Sequence, residues 1–200
     1  MQTNWEQNLI SLAGHTDNSA GDYSFSEWED VQLFREANRK AKMITAAHSR
    51  SFFLASSLLP LQKREAVRAL YAFCRTVDDI VDESSADDRA EKLTEWSQTV
   101  HSNYAFSGNP VAAAWVNALT RFRIPRQYAL QLIDGVARDL TQTRYQTFDE
   151  LTMYCYGVAS TVGLMSMHII GFNSMHAVPF AIKLGVALQI TNILRDVGED

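Results

Sequence analysis

Arg75-Thr76-Val77-Asp78-Asp79-Ile80-Val81-Asp82 closes a segment that begins near Gln62 and reads as one long helix. At about 100° per residue, Asp78 and Asp82 fall one turn apart on one face, roughly 6 Å from each other. Arg75 lies one turn earlier on that side, and Asp79 flanks it. Tyr71, Ala72, Phe73, Cys74, Val77, Ile80 and Val81 are apolar, so this helix is buried over much of its circumference. Carboxylates at the edge of such a helix repel one another and call for a counter-charge. A hard divalent cation such as Mg2+, held by one or two carboxylates and by substrate phosphates, meets that need.

The end of the chain repeats the idea in Gln189-Ile190-Thr191-Asn192-Ile193-Leu194-Arg195-Asp196-Val197-Gly198-Glu199-Asp200. Gln189, Asn192, Asp196 and Asp200 share one stripe within about 60°, opposite Ile190, Ile193, Leu194 and Val197. Arg195 sits at the flank, within reach of a phosphate. Either motif alone suits a solvated helix face, and neither has the alternating acids and central glycine of an EF-hand loop. Two of them on separate helices, each with an arginine close by, predict a cavity where metal ions hold a diphosphate between acidic faces.

With 200 residues, 46% of them hydrophobic, the chain suffices for one globular domain with a substantial core. A net charge of −5 and the lack of a basic cluster argue against nucleic acid. Cys74 and Cys155 sit in apolar helical contexts with no CxxC or Cys/His spacing, and read as reduced, buried thiols of a cytoplasmic protein. Met1-Gln2-Thr3-Asn4-Trp5-Glu6 lacks the basic and apolar regions of a secretory signal. Residues 151–182 carry no charged side chain, long enough to span a bilayer. Ser, Thr, Asn, Gly, His168 and His176 interrupt them, Pro179 falls near their end, and no aromatic or basic belt brackets them. A helix buried on all sides and lining an apolar pocket is the expectation.

Along the chain, residues 1–30 are weakly patterned and read as a mobile or loosely docked arm, with one helical domain over 31–200. A helix to about Ala47 breaks at His48-Ser49-Arg50-Ser51, where either serine can cap the short helix from Phe52 to Leu59. Pro60 stops that helix, and after the acidic segment an amphipathic surface helix runs from about Asp87 to His101. Pro110 starts another helix, and Pro125 to about Tyr145 forms the next, with Asp139 on the side of Leu132, Val136 and Thr143. From Phe148 to Gly171, Tyr154, Val158, Thr161 or Val162, and Met165 share a face. Gly157, Ala159, Ser160 and Gly163 keep that backbone slim, either for tight helix packing or to make room for a long apolar ligand. No strand alternation competes anywhere, so the fold class is all-α.

Four ordered motifs carry a resemblance. They are His48-Ser49-Arg50-Ser51-Phe52; Tyr71-Ala72-Phe73-Cys74-Arg75 with Asp78, Asp79 and Asp82; Tyr154-Cys155-Tyr156-Gly157-Val158-Ala159 with Thr161, Val162 and Gly163; and the stretch from Gln189 to Asp200. From about Ala47 to Asp200 the sequence resembles the squalene and phytoene synthases, the head-to-head branch of the trans-prenyltransferases. The resemblance implies a single-domain, isoprenoid-synthase-type helical bundle. It implies Mg2+ (with Mn2+ as a substitute) held by Asp78, Asp82, Asn192, Asp196 and Asp200. His48, Ser49, Arg50, Ser51, Phe52, Arg75, Asp139, Val158, Gln189, Asn192 and Arg195 would contact substrate, and Tyr154 would stand beside the reacting carbons. Two prenyl diphosphates would join through a cyclopropylcarbinyl diphosphate that ionises again, rearranges and loses a proton. Likeness across Phe52 to Asp82 favours two C20 units (phytoene). Two C15 units (dehydrosqualene, or squalene when NADPH reduces the cation) are the alternative. A non-catalytic scaffold relative would be expected to lose acids, and all four key aspartates are present. A head-to-tail synthase or terpene cyclase should show other acid spacings and lacks the 154–159 stretch. The chain stops at Asp200, where family members continue with helices that complete the pocket, so an incomplete bundle is expected. Insoluble hydrocarbon products imply peripheral membrane contact.

Overall fold

The computed structural model describes residues 4–14, 29–83, 86–101, 108–142 and 144–197, and among these no strand occurs. The described residues form ten α-helices: α1 (Asn4–Gly14), α2 (Glu29–His48), α3 (Arg50–Ser56), α4 (Leu61–Glu83), α5 (Ala86–His101), α6 (Pro110–Arg121), α7 (Arg126–Ala137), α8 (Phe148–Cys155), α9 (Thr161–Ile170) and α10 (Val178–Asp196). The all-α expectation holds.

Helix starts follow capping chemistry. Ser49 Oγ accepts from the Phe52 N–H at 3.4 Å, which settles which serine caps α3. Asn109 Oδ1 accepts from Val111 N–H at 2.9 Å and Ala112 N–H at 3.3 Å, with Pro110 in the first turn of α6 where no donor is lost. Thr147 caps α8 by accepting from Glu150 N–H at 3.2 Å, while Glu150 accepts from Gln146 N–H at 2.7 Å.

The core is centred on α4. Phe73 stacks between Trp96 of α5 (centroids 5.9 Å apart) and Trp115 of α6 (5.0 Å), and burial of such aromatics is the largest single apolar term in a core this size. α2, α6, α7 and α9 close round the same helix. The acidic end of α4 is thereby held on a rigid support.

Three sequence expectations need correction. The N-terminal arm is not loosely docked over its first part: α1 buries Leu9 and Ala13, and Tyr128 Oη and Gln131 Nε2 donate to the carbonyls of Ala13 and Leu12, both at 3.3 Å. Lys183 of α10 also pairs with Glu6 at 3.1 Å. The helix from Pro125 does not reach Tyr145. It tightens into a 3₁₀ turn at Arg138–Leu140, where Thr141 and Gln142 N–H both donate to the Arg138 carbonyl, and Asp139 sits in that turn.

The uncharged segment is likewise not one regular helix buried on all sides. A π-helical stretch, Tyr156–Ser160, separates α8 from α9, and Tyr154, Val158 and Val162 remain half-exposed. The small residues there serve close packing. A Cβ built on Gly135 of α7 would meet the Gly157 backbone at 2.8 Å, and one on Gly185 of α10 would meet Ser160 at 2.5 Å. Ser160 Oγ then donates to the Ile182 carbonyl at 2.8 Å across the same crossing. Phe148–Ile170 and Met175–Asp196 are both long and apolar enough to cross a membrane by length and composition alone. The first packs in the interior of the bundle; the second leaves Phe180, Leu184, Leu188 and Leu194 exposed.

Candidate active site

The 4-3-4 spacing of Tyr71, Arg75, Asp78 and Asp82 puts all four on one stripe of α4. Phe52 stacks on Tyr71 with ring centroids 5.3 Å apart, which fixes the 48–52 motif against the upstream end of that stripe. His48, Arg50 and Ser51 are exposed beside it, and Ser49 is spent on its cap.

At the downstream end, Asp78 gathers like charges. Its carboxyl is open to solvent on one side, yet the protein around the rest of it pushes its pKa up to about 6. Desolvation is the main cause, opposed by Arg75 and reinforced by Asp82, Asp79 and Asp139. Asp139 is raised too, by burial first and then by Asp82, against the hydrogen bond it accepts from Tyr154 Oη at 3.2 Å. The 3₁₀ turn after α7 thus brings Asp139 to the two α4 acids, and Tyr154 of α8 orients it. Tyr154 itself is held well above the ordinary phenol range by burial and by Asp139. Tyr145 tilts against Tyr154 at 5.1 Å, its pKa pushed up to about 12 by burial and Asp139, and its buried hydroxyl has no protein partner.

Arg75, expected on a diphosphate, pairs with Asp79 at 2.5 Å, the i,i+4 partner on its own helix. Its Nε remains buried with no protein acceptor. A carboxylate group short of positive charge, beside an arginine donor and a tyrosine hydroxyl both lacking partners, fits a metal-bound diphosphate. The donors are hard oxygens, as Mg2+ prefers, and Mg2+ needs only one or two of them alongside phosphate and water. Among the described residues no three His, Cys, Asp or Glu side chains already converge as a metal cage.

The second acidic motif is arranged differently. Asn192, Arg195 and Asp196 are exposed and Gln189 half-exposed on α10. Asp196 Oδ1 accepts from Arg195 Nε at 3.0 Å and Nη2 at 2.8 Å, so here the arginine meets its neighbour's carboxylate. Asp200 lies outside the described residues. α10 is tied to the site through the Gly185–Ser160 crossing, two residues from Val158. Val158 and Val162 are half-exposed, whereas Met165, which the spacing puts on the same face, is fully buried. Burial raises both thiols, Cys155 to about 11, which keeps them protonated and without nucleophilic character.

A sequence model of the squalene/phytoene synthase family matches residues 45–200. The chain belongs to that family. It is 41% identical over 176 residues to "Phytoene synthase" of Arthrospira platensis, covering 80% of this chain and 56% of that one. To "15-cis-phytoene synthase" of Synechococcus elongatus it is 38% identical over 181 residues, covering 82% and 58%. Among solved structures it resembles a dehydrosqualene synthase in complex with ligand, with a TM-score of 0.76 and 33% identity over 86% of this chain and 60% of that one. The chain thus spans little more than half the length of these curated relatives.

Proposed function

We propose that the protein containing this chain is a prenyltransferase that condenses two geranylgeranyl diphosphates head to head into phytoene. The observation that carries this reading is the pair Asp78 and Asp82 on one stripe of α4, with Asp139, bonded by Tyr154, near enough to share their repulsion, in a chain similar to proteins called phytoene synthases. Breaking an allylic C–O bond requires a stabilised leaving diphosphate. Mg2+, held by Asp78 and Asp82 on α4 and by Asn192, Asp196 and Asp200 at the chain's end, would neutralise that charge when bound.

The chain's own residues supply the rest. Arg75 Nε, buried and without an acceptor, donates to a diphosphate oxygen, and exposed Arg50 and Arg195 approach others with the guanidinium fork. Gln189 and Asn192 orient the second substrate. Phe52, Val158 and Val162 offer half-open apolar walls that shield a carbocation from water. Tyr154, locked by Asp139 and held as a neutral phenol, presents its ring to the cationic carbons.

A second reading, condensation of two farnesyl diphosphates, draws on the 33% identity to the dehydrosqualene synthase. NADPH would enter only if the product were squalene. Incubation of the whole protein with Mg2+ and each diphosphate, then extraction and mass analysis, tests both. A C40 hydrocarbon absent from an Asp78→Asn/Asp196→Asn control supports the first, and a C30 product the second. Failure of both substrates to release diphosphate refutes the enzyme reading.

A further inference from the structure

The side-chain amide of Gln131 joins two elements that are distant in sequence. Leu12 and Ala13 stand in the last turn of α1, where helix carbonyls have no partner within the helix. Tyr128 Oη and Gln131 Nε2, three residues apart on α7, donate to the carbonyls of Ala13 and Leu12. The other end of the same amide is used too: Gln131 Oε1 accepts from Tyr156 Oη at 2.8 Å. Tyr156 is buried and opens the π-helical stretch, two residues after Tyr154 and two before Val158. One side chain therefore ties the end of α1 to the segment between two residues of the candidate site.

The start of α1 reaches the same neighbourhood. Trp5 packs edge-on against Phe148, the first residue of α8, with ring centroids 5.9 Å apart. Glu6 pairs with Lys183 of α10, two residues before the Gly185–Ser160 crossing. α1 precedes residues 45–200, which the family model matches. It nevertheless touches α8 and α10, which carry Tyr154 and Asp196, and α7, whose end turns into Asp139. π-helical turns are rare, and three outside contacts hold this one: Gly157 against Gly135, Ser160 Oγ on the Ile182 carbonyl, and Tyr156 Oη on Gln131. Of these three, the last is shared with α1. We infer that Gln131 is a positioning residue: it transmits the docking of α1 to the π-helical stretch and so sets where Tyr154 and Val158 stand. The kinetic consequence rests on the activity proposed above, and the structural consequence does not.

Hydrogen exchange of the whole protein, read by mass spectrometry, tests this together with steady-state kinetics. Gln131→Leu keeps most of the bulk and removes both bonds. It should speed exchange about tenfold across residues 154–162 while α2, α4 and α6 keep their protection. Tyr156→Phe removes one bond, and should loosen 154–162 while leaving α1 protected. Leu9→Ala weakens α1 from its buried side, and should speed exchange in α1 and, in step, in 154–162. With geranylgeranyl diphosphate, Gln131→Leu should lower kcat at least about tenfold and leave KM within about twofold, because Tyr154 meets the cationic carbons after ionisation. Adding Tyr156→Phe to Gln131→Leu should lower kcat no further, since both act through one bond. Circular dichroism checks that each variant stays folded, and Tyr156→Phe and Leu9→Ala decide the matter if Gln131→Leu does not. Wild-type exchange over 154–162 in folded Gln131→Leu, or in Leu9→Ala with α1 loosened, overturns the inference. If the wild-type protein released no diphosphate, the proposed activity would fall and the exchange data would still decide the coupling.

Discussion

The two acidic helix ends share a spacing and differ in everything around it. At the end of α4, Asp78 is crowded by Asp79, Asp82 and Asp139, desolvated, and raised to about 6. At the end of α10, Asp196 is exposed and already bonded to Arg195 next door. The first end is assembled from three parts of the chain, because the 3₁₀ turn after α7 and Tyr154 of α8 complete it. The second is presented by one helix, anchored a few turns back where Gly185 meets Ser160. Residue spacing specifies which face a carboxylate occupies; what packs against that face decides whether the carboxylate is strained. The preformed end is therefore the one expected to dominate cation binding, with the α10 end joining once a diphosphate bridges them.

The comparison is broken most severely at Asp78. Asp78→Asn should slow diphosphate release by on the order of a thousandfold, equivalent to about 4 kcal/mol, with far-UV circular dichroism unchanged. Next in size is the joint that carries the α10 end. Gly185→Val should destabilise by about 3 kcal/mol in urea unfolding, because its side chain would meet the Ser160 backbone with no room to move.

A smaller effect appears without metal. The folded protein holds the Asp78 proton more tightly than the unfolded chain, whose aspartates titrate near 4. Metal-free stability should therefore fall as pH rises from about 4 through about 6 and then level off. Since the carboxyl has an open side, its share of the loss is on the order of 1 kcal/mol, and Asp78→Asn should remove that share in melts across that range, leaving the smaller contribution of Asp139. Smallest of all, Arg195→Gln should change stability by less than about 0.5 kcal/mol, since its pair with Asp196 is exposed.

Much of this was legible in the sequence. The helix class, the Pro110 start, the Ser49 region and the two acidic stripes followed from periodicity and capping chemistry, which act locally. What was illegible depends on tertiary partners. The docked α1 fully buries only Leu9 and Ala13, with Trp5, Ile10 and Leu12 partly buried against the core, a pattern too short to stand out among polar residues until Tyr128, Gln131 and Lys183 receive it. The early end of α7 is a 3₁₀ tightening with no proline after it, and Gly135 in its last turn serves the close approach to Gly157 instead of a left-handed cap. For Gly157 and Ser160 the sequence offered packing or a roomy pocket, and only the opposing Gly135 and Gly185 identify close packing. Arg75 looked free for phosphate because the i,i+4 partner Asp79 was read as a flanking acid.

The central claim is that the α4 end is a carboxylate cluster waiting for a cation. Carbon-detected NMR titration of the Asp78 carboxyl, first without metal and then with Mg2+ and inorganic diphosphate, tests it most directly. The account predicts a midpoint near 6 that drops when both are added. A midpoint near 4 that Mg2+ and diphosphate leave unmoved would contradict it.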